Sequence, residues 1–100
     1  MPRPTARQTK GRGAALAALL RAAGDESRLR IIRAVLGQPR ICVSEVAERL
    51  GVSIAIASHH LKALAAAGLL SPVRNGKRVC FVFNDRAPVR DLMRIVRRYS

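Results

Sequence analysis

A mainly α-helical domain with one small β-hairpin is the fold class that the sequence predicts. Apolar residues recur at helical spacing, in runs that glycines bring to an end. After Gly68 the period changes to two on either side of Asn75 and Gly76, which is a strong signal for a short hairpin. A length of 100 residues suffices for one compact domain. We therefore expect about five helices and a hairpin within residues 14–100.

The N-terminal segment has a different composition from the rest. Residues 1–13 contain two prolines and two glycines among four basic residues, and such a segment buries too little apolar surface to order itself. We predict a disordered basic arm, which either adds phosphate contacts or is a solvated terminus without a role. The first helix is expected from Ala14 to Ala23, because Gly24 then ends the apolar pattern.

The second helix and a short strand follow. Asp25 is placed to accept hydrogen bonds from the free amides of the first helical turn. The helix is expected to end near Leu36, because Gly37 terminates it and Pro39 prevents its resumption. The β-branched residues in 41–43 then predict a strand that joins a small sheet.

A tight pair of helices occupies the middle of the chain. Ser44 is expected to cap the third helix, Gly51 to supply the sharp bend after it, and Ser53 to open the fourth helix. The pair has the organisation of a helix-turn-helix. After the hairpin, residues 84–85 offer a cap for a fifth helix that combines an apolar stripe with four arginines.

The charge balance indicates the class of partner. Nineteen Lys and Arg against six Asp and Glu give a formal net charge of +13 and a pI near 11.8. This charge favours a polyanion such as nucleic acid over an acidic small molecule. The chain has only three aromatic residues, too few for a platform on which unpaired bases stack. Duplex DNA is therefore a better prediction than single-stranded RNA.

The sequence has no membrane-spanning segment, and this bears on where in the cell the protein is expected. No apolar run approaches the length that spans a bilayer. The basic, acid-free start could be a targeting segment, but residues 14–23 fit a packing helix better, so we expect a cytoplasmic protein. Two cysteines in a reducing compartment make a structural disulfide an unexpected feature.

The fourth helix has two distinct faces when it is wrapped at 3.6 residues per turn. Ala57, Leu61 and Leu64 share the face that packs inward. The other face presents a methyl, a hydroxyl, an imidazole and an ammonium group, which can contact thymine, base edges and phosphates. An ordinary solvated surface is the alternative, but the preceding short helix and glycine turn favour a recognition helix. The outward residues are Ala55, Ser58, His59 and Lys62.

The hairpin offers a second contact surface. Arg74, Lys77 and Arg78 cluster around a turn whose side chains point outward, where they can reach phosphates or the minor groove. A basic turn can also serve solubility alone. Beside a helix-turn-helix, the sequence favours a DNA-contacting wing.

Several segments together resemble a known family. They are GDESRLRII at 24–32, ICVSEVA at 41–47, GVS at 51–53, SHHLK at 58–62, AGLL at 67–70 and GKRV at 76–79. In this order and spacing they resemble the ArsR/SmtB family of winged helix-turn-helix repressors, over about residues 14–98. The resemblance implies a homodimeric bacterial transcription factor that binds a palindromic operator and responds to an inducer.

The resemblance also implies roles for individual residues. Dimers of this family form through the first and last helices, so the expected dimer contacts are Leu16, Leu19, Leu20, Val89, Leu92, Met93 and Val96. The expected DNA contacts are Ser53, Ile54, Ala55, Ser58, His59, Lys62, Arg74, Lys77 and Arg78.

One departure from the family pattern concerns base reading. Members often carry a polar residue such as Gln where this chain has Ile54, and here Ala55 and Ile56 follow. Fewer hydrogen bonds are therefore available. We expect operator choice to depend on thymine methyl contacts and DNA shape, with Ser58 and His59 as the main polar readers.

A second departure concerns metals. Family metal sites use two thiolates at the start of the third helix, or carboxylates and histidines on the last helix. Cys42 matches the first thiolate, but Ser44 stands in place of the second, and Asp91 is the only interior carboxylate of a last helix without His. Neither ligand set is complete, so we predict no metal and no cofactor.

The second cysteine leaves an alternative open. Cys80 lies on the second hairpin strand, and the wing topology places the strand of Cys42 beside it, so the two sulfurs are expected to be neighbours. They are either a redox-active or ion-binding thiol pair, or two unreactive residues that fill space.

Other functions receive less support. His59 and His60 point about 100° apart on a helix and do not readily share an ion, and His60 is expected to be a half-buried packing residue. The six carboxylates have capping or surface explanations, so enzymatic activity is not expected. Two alternatives stay open: a non-specific architectural DNA- or RNA-binding protein, and a dimerising module without DNA contact.

Overall fold

A computed structural model describes the backbone of residues 4–100 and the side chains of residues 11–100. This part of the chain forms five helices and a three-stranded antiparallel sheet, which confirms the predicted winged helix-turn-helix architecture. The elements in chain order are α1 Pro4–Ala23, α2 Glu26–Leu36, β1 Ile41–Cys42, α3 Val43–Leu50, α4 Ile54–Ala66, β2 Leu70–Asn75, β3 Arg78–Phe83 and α5 Ala87–Arg98.

One apolar core joins all five helices to the sheet. It contains no buried polar or charged residue among the described side chains, so its stability comes from apolar burial, roughly 1.5–3 kcal/mol for each large side chain. The largest fully buried side chains are Ile31, Ile32, Val35, Ile41, Val46, Leu61, Leu64, Leu69, Leu70 and Val89.

The sheet connects the helix-turn-helix to the hairpin. Its strand order is β1-β3-β2, so β3 lies in the centre and pairs with both neighbours. The predicted strand near residue 41 is present as β1, with Ile41 opposite Phe81 and Cys42 opposite Cys80. The wing is thereby attached at its base to the chain that enters α3.

The start of α3 differs from the prediction that Ser44 caps it. Cys42 is the N-cap, because its extended backbone (φ −101°, ψ 159°) ends β1 and the next residue is already helical. Glu45 Oε1 accepts a hydrogen bond from the Cys42 amide at 2.9 Å. At the other end Gly51 adopts φ 70°, the left-handed conformation that the predicted bend requires.

The hairpin turn lies one residue later than the sequence suggested. Asn75 pairs with Arg78, which leaves Gly76 and Lys77 as the two loop residues. Only Gly76 of the two has a positive φ, at 66°. A single positive φ at the first loop position is typical of a type II′ turn, whereas Asn-Gly at both loop positions favours type I′.

The two terminal helices also begin at different residues. α1 begins at Pro4 rather than Ala14, so the helix extends into the predicted arm; proline suits a first helical position, and the Ala, Arg, Gln and Lys of this segment favour helix. The role of the arm in phosphate contact stays a prediction. Arg86, not residues 84–85, is the N-cap of α5, and Asp85 Oδ1 instead accepts from Arg90 Nη1 at 2.7 Å.

A membrane-spanning role finds no support in the described helices, none of which has both the length and the apolar composition for it.

The N-cap of α2 predicts a specific pH dependence of stability. Asp25 Oδ2 accepts from the Arg28 amide at 2.9 Å, and this hydrogen bond lowers the pKa of Asp25. A lowered pKa contributes stability that is complete above the pKa of the unfolded residue, about 3.9, and is lost as the pH falls through the folded pKa. We expect the difference in free energy of unfolding between wild type and Asp25→Ala to be constant near neutral pH and to shrink below about pH 4.

Urea denaturation between pH 3 and 7 measures this difference, with Asp25→Asn as the matched control. The Asn side chain retains a capping oxygen but does not titrate, so its advantage over Ala should be independent of pH. A wild-type advantage that persists unchanged at pH 3 would show that the cap does not depend on the charge.

Candidate nucleic-acid interface

The outward face of α4 is set by the residues on its inward face. Ala57, Leu61 and Leu64 have no exposed surface. On the opposite side Ala55, His59 and Lys62 are exposed and Ser58 is half-buried. The structure thus brings the four predicted readers onto one side of the helix, with Ser58 the least accessible of them.

The first turn of α4 is apolar and open. Ser53 Oγ accepts from the Ile56 amide at 3.1 Å and so caps the helix. Ile54 and Ile56 are 55% and 48% exposed. The exposure of Ile56 was not predicted, although a large aliphatic residue beside the predicted contact Ile54 was a signal for it. Two exposed isoleucines at a helix N-terminus can contact thymine methyl groups.

The hairpin presents its basic residues as expected. Arg74, Lys77 and Arg78 are all exposed. They differ in their surroundings, because Arg78 Nη2 donates to Ser44 Oγ at 3.4 Å and lies 3.9 Å from Glu45 Oε1. Arg78 therefore connects the wing to α3, while no such contact involves Arg74 or Lys77 among the described side chains.

The recognition helix and the wing share one surface. A shallow groove of about 220 Å³ has Ile54 of α4 on one side and Arg78 and Val79 of β3 on the other. The remaining lining comes from Cys42, Val43 and Ser44 at the start of α3. A ligand that lies across this surface can contact α4 and the turn end of β3 together.

The two histidines lie next to each other on α4. The ring centroids of His59 and His60 lie 5.8 Å apart and the ring planes are inclined by 62°. His60 is half-buried, as predicted, and its Nδ1 is buried without a hydrogen-bond partner. Within the described residues, no three His, Cys, Asp or Glu side chains come close enough to hold a metal ion.

The cysteines are the clearest departure from expectation. Cys42 and Cys80 are neighbours, as the wing topology predicted, but they are joined in a disulfide, which the expected reducing compartment did not favour. The physical reason is the register, which places the two residues directly opposite each other on β1 and β3.

The predicted dimer residues fall into two groups. Leu19, Val89, Met93 and Val96 are buried in the core of the single chain and offer a partner little surface. Leu16 and Leu20 of α1 are 51% and 52% exposed, and Leu92 of α5 is half-buried. Ile95 of α5, which is not among the predicted dimer contacts, is 57% exposed, and it lines one groove with Leu16, Leu20 and Leu92. We call these four residues the α1/α5 apolar surface.

Comparisons with known proteins agree with this architecture. The model of one protein family, bacterial regulatory protein, arsR family, matches residues 25–71, which span α2 to α4 and the start of β2. The cadmium resistance transcriptional regulatory protein CadC of Listeria innocua is 33% identical over 61 residues, which cover 61% of this chain and 51% of CadC. The chain therefore spans about half the length of the curated relatives it matches.

Solved structures extend the similarity over most of the chain. An ArsR-like transcriptional regulator from Rhodococcus sp. RHA1 is 31% identical, with a TM-score of 0.69, over 89% of this chain and 82% of the other. The homodimeric winged helix-turn-helix DNA-binding domain of Mb0332 from Mycobacterium bovis is 23% identical, with a TM-score of 0.80, over 91% and 82% of the two chains, and shows the same fold.

These similarities confirm the predicted resemblance to the ArsR/SmtB family. The matched proteins are transcriptional regulators and not enzymes. With a matching family model across the helix-turn-helix and a relative 31% identical along most of both chains, this protein belongs to the arsR family of bacterial regulatory proteins.

Proposed function

We propose that this chain is a homodimeric, sequence-specific regulator that binds a palindromic operator in duplex DNA in the cytoplasm and represses transcription until an inducer acts. Two recognition helices about one DNA turn apart would enter successive major grooves. Bound at a promoter, such a dimer blocks polymerase.

The single observation that carries this proposal is the division of α4 into a fully buried face and an accessible face. A methyl group, an imidazole and an ammonium group on one exposed face suit thymine methyls, base edges and phosphates respectively. Nothing about core packing requires this outward combination, since the core contacts are made by the other side of the helix.

The wing and the overall charge support the same proposal. Arg74 and Lys77, which form no ion pair with any described side chain, are exposed near the turn and can reach phosphates. The net charge of +13 attracts the duplex before specific contacts form. Ser58 is half-buried, so we assign the larger share of polar base reading to His59.

Dimerisation is supported by the α1/α5 apolar surface. Leu16, Leu20 and Ile95 are each more than half exposed, and large apolar side chains grouped on one surface are typical of protein interfaces. The related M. bovis domain is a homodimer. We therefore propose that Leu16, Leu20, Leu92 and Ile95 contact a second copy of the chain.

The charge alone also permits a non-specific architectural protein, and one measurement separates the two functions. Affinities for the upstream region of the protein's own gene and for random duplex are compared at one stated salt concentration. A ratio of about 10³ or more supports a regulator, and a ratio near one supports an architectural protein.

The specificity of α4 gives the next prediction. Replacing Ser58 and His59 together by Ala should reduce the preference for operator over random duplex at least about tenfold, because a good base contact contributes roughly 1–3 kcal/mol of discrimination. Competition binding measures the ratio. Lys62→Ala is the control, since loss of a phosphate contact should weaken both complexes alike. Unchanged selectivity in the double variant contradicts the assignment.

The wing should act through charge. Lys77→Ala is expected to weaken binding to operator and random duplex equally, and to make the slope of log affinity against log salt shallower by about 0.9. Fluorescence anisotropy at several salt concentrations measures both effects. Arg97→Ala removes the same charge from α5 and should leave the slope unchanged. An equal change in both variants would mean that net charge, not a wing contact, is responsible.

The dimer contact can be tested at a single exposed position. Leu20→Glu or Ile95→Glu should raise the dimer dissociation constant at least ~100-fold, because an unpaired carboxylate buried in an apolar interface costs several kcal/mol. Sedimentation velocity reports the mass. Ile54→Glu, equally exposed but on α4, is the control and should remain dimeric. A dimer that tolerates Glu at positions 20 and 95 would locate the interface elsewhere.

A further inference from the structure

We propose that Cys42 and Cys80 are a redox-active pair that regulates DNA binding: the disulfide fixes the wing against the helix-turn-helix, and its reduction by a thiol or dithiol reductant releases the wing and weakens DNA binding. This inference rests on the proposed function, since it assigns a control to the same DNA-binding surface. It goes beyond that function by naming the modification site and the class of reactant.

The position of the disulfide makes it a link between two functional elements. Cys42 is the N-cap of α3, the first helix of the helix-turn-helix, and Cys80 lies on β3 of the wing. Strand β1 has only two residues, so its pairing with β3 consists of Ile41 with Phe81 and Cys42 with Cys80. The covalent bond is therefore the strongest single connection between the start of α3 and the wing.

The polar side-chain contacts at this junction are weak. Arg78 contacts Ser44 and Glu45 at 3.4 Å and 3.9 Å, and both arginine and glutamate side chains are substantially exposed. Ion pairs with this exposure contribute little to stability. Without the disulfide, the start of α3 and the wing would be joined by these contacts, a two-residue strand pairing and the burial of Ile41 against Phe81 in the core.

The two sulfurs differ in access. Cys80 is completely buried, whereas Cys42 lines two grooves that open on the surface. The larger groove, of about 590 Å³, also has Arg40, Glu45 and Arg78 in its lining. A reductant therefore approaches Cys42. The amino end of α3 and the two arginines favour negative charge there, which assists both thiolate attack and thiolate release.

The chemistry balances as an ordinary thiol-disulfide exchange. A reductant thiolate attacks Cys42 Sγ, the bond to Cys80 breaks, and Cys80 leaves as a thiolate that takes a proton from solvent. A second reductant thiolate then attacks the reductant sulfur of the mixed disulfide and releases Cys42. Two electrons pass to the pair, and the reductant becomes a disulfide.

Reoxidation needs an oxidant of the hydroperoxide class. The Cys42 thiolate takes the terminal oxygen of the hydroperoxide to become a sulfenic acid, and the hydroperoxide leaves as an alcohol or as water. The Cys80 thiol then attacks Cys42 Sγ, which forms the disulfide and expels water. Oxidant and reductant thus set which form of the wing is present.

Reduction has a structural consequence because the site is closely packed. Two thiols cannot approach as closely as two bonded sulfur atoms, and both cysteines have almost no exposed surface. The strands must separate, or Cys42 must turn its sulfur into the adjacent groove. Either change loosens β1 from β3, so Arg74 and Lys77 lose their fixed position relative to α4.

The proposed location in the cytoplasm favours a switch over a permanent staple. A protein that binds bacterial chromosomal DNA is exposed to the cellular thiol pool, which keeps most cysteines reduced. Disulfides that form there are usually transient and serve redox sensing or catalysis. A disulfide between a helix-turn-helix and its wing can therefore link the redox state of the cell to the position of the wing.

The test compares the oxidised and reduced full-length protein under native conditions. Dithiothreitol is the reductant, hydrogen peroxide the oxidant, and alkylation followed by mass spectrometry counts the free thiols. Hydrogen-deuterium exchange of residues 70–83 measures the wing, and fluorescence anisotropy measures affinity for duplex DNA. We expect reduction to accelerate wing exchange and to weaken binding about three- to tenfold. Reoxidation with hydrogen peroxide should reverse both effects.

The matched control is the double variant Cys42→Ser, Cys80→Ser, which should resemble the reduced protein and ignore both reagents. If that variant fails to fold, the reduced wild-type protein provides the same comparison. Wing exchange that is equal in both redox forms, or a disulfide that native dithiothreitol treatment cannot reduce, overturns the proposal. If neither form binds any duplex at low salt, the proposed function fails, while the exchange measurement still decides the switch.

Discussion

The direction in which α4 faces depends on one packing constraint. Ala57, Leu61 and Leu64 occupy completely buried positions, and turning the helix by a single residue would rotate it about 100° and expose them. Roughly 1.5–3 kcal/mol for each buried leucine opposes that rotation. His59 and Lys62 are therefore held outward by residues that lie entirely inside the core. The small Ala57 also lets the helix approach the core closely at its first turn.

Much of the fold could be predicted because its signals are local. The N-cap at Asp25 and the bend at Gly51 each depend on the residue itself and its immediate neighbours. The N-cap of α3 could not be predicted in the same way, because it depends on where β1 pairs with β3. Likewise the hairpin turn can use Asn75-Gly76 or Gly76-Lys77, and the pairing of the whole strand decides between them.

The apolar surface was harder to predict than the recognition helix. Within the apolar stripes of α1 and α5, the residues that are buried and the residues that stay exposed are equally apolar. Periodicity therefore identifies a stripe without showing which edge of it stays accessible. Leu19 and Leu20 are adjacent and chemically identical, yet one is buried and the other half exposed. The disulfide escaped prediction for a different reason: composition indicates the compartment, whereas only strand register brings two particular cysteines together.

One carboxylate, that of Glu45, contacts both the start of α3 and the wing. Glu45 accepts from the Cys42 amide at 2.9 Å, which fixes the start of α3, and lies 3.9 Å from the guanidinium of Arg78 on β3. Part of the charge of Arg78 is thus directed at α3 rather than at a phosphate. Among the basic wing residues, Arg78 is therefore the one engaged with α3, and we propose the phosphate contacts for Arg74 and Lys77. The N-terminus of α3, the disulfide and the wing are thus connected through Cys42, Glu45 and Arg78. A change at any of these residues would alter how the wing is positioned relative to the helix-turn-helix.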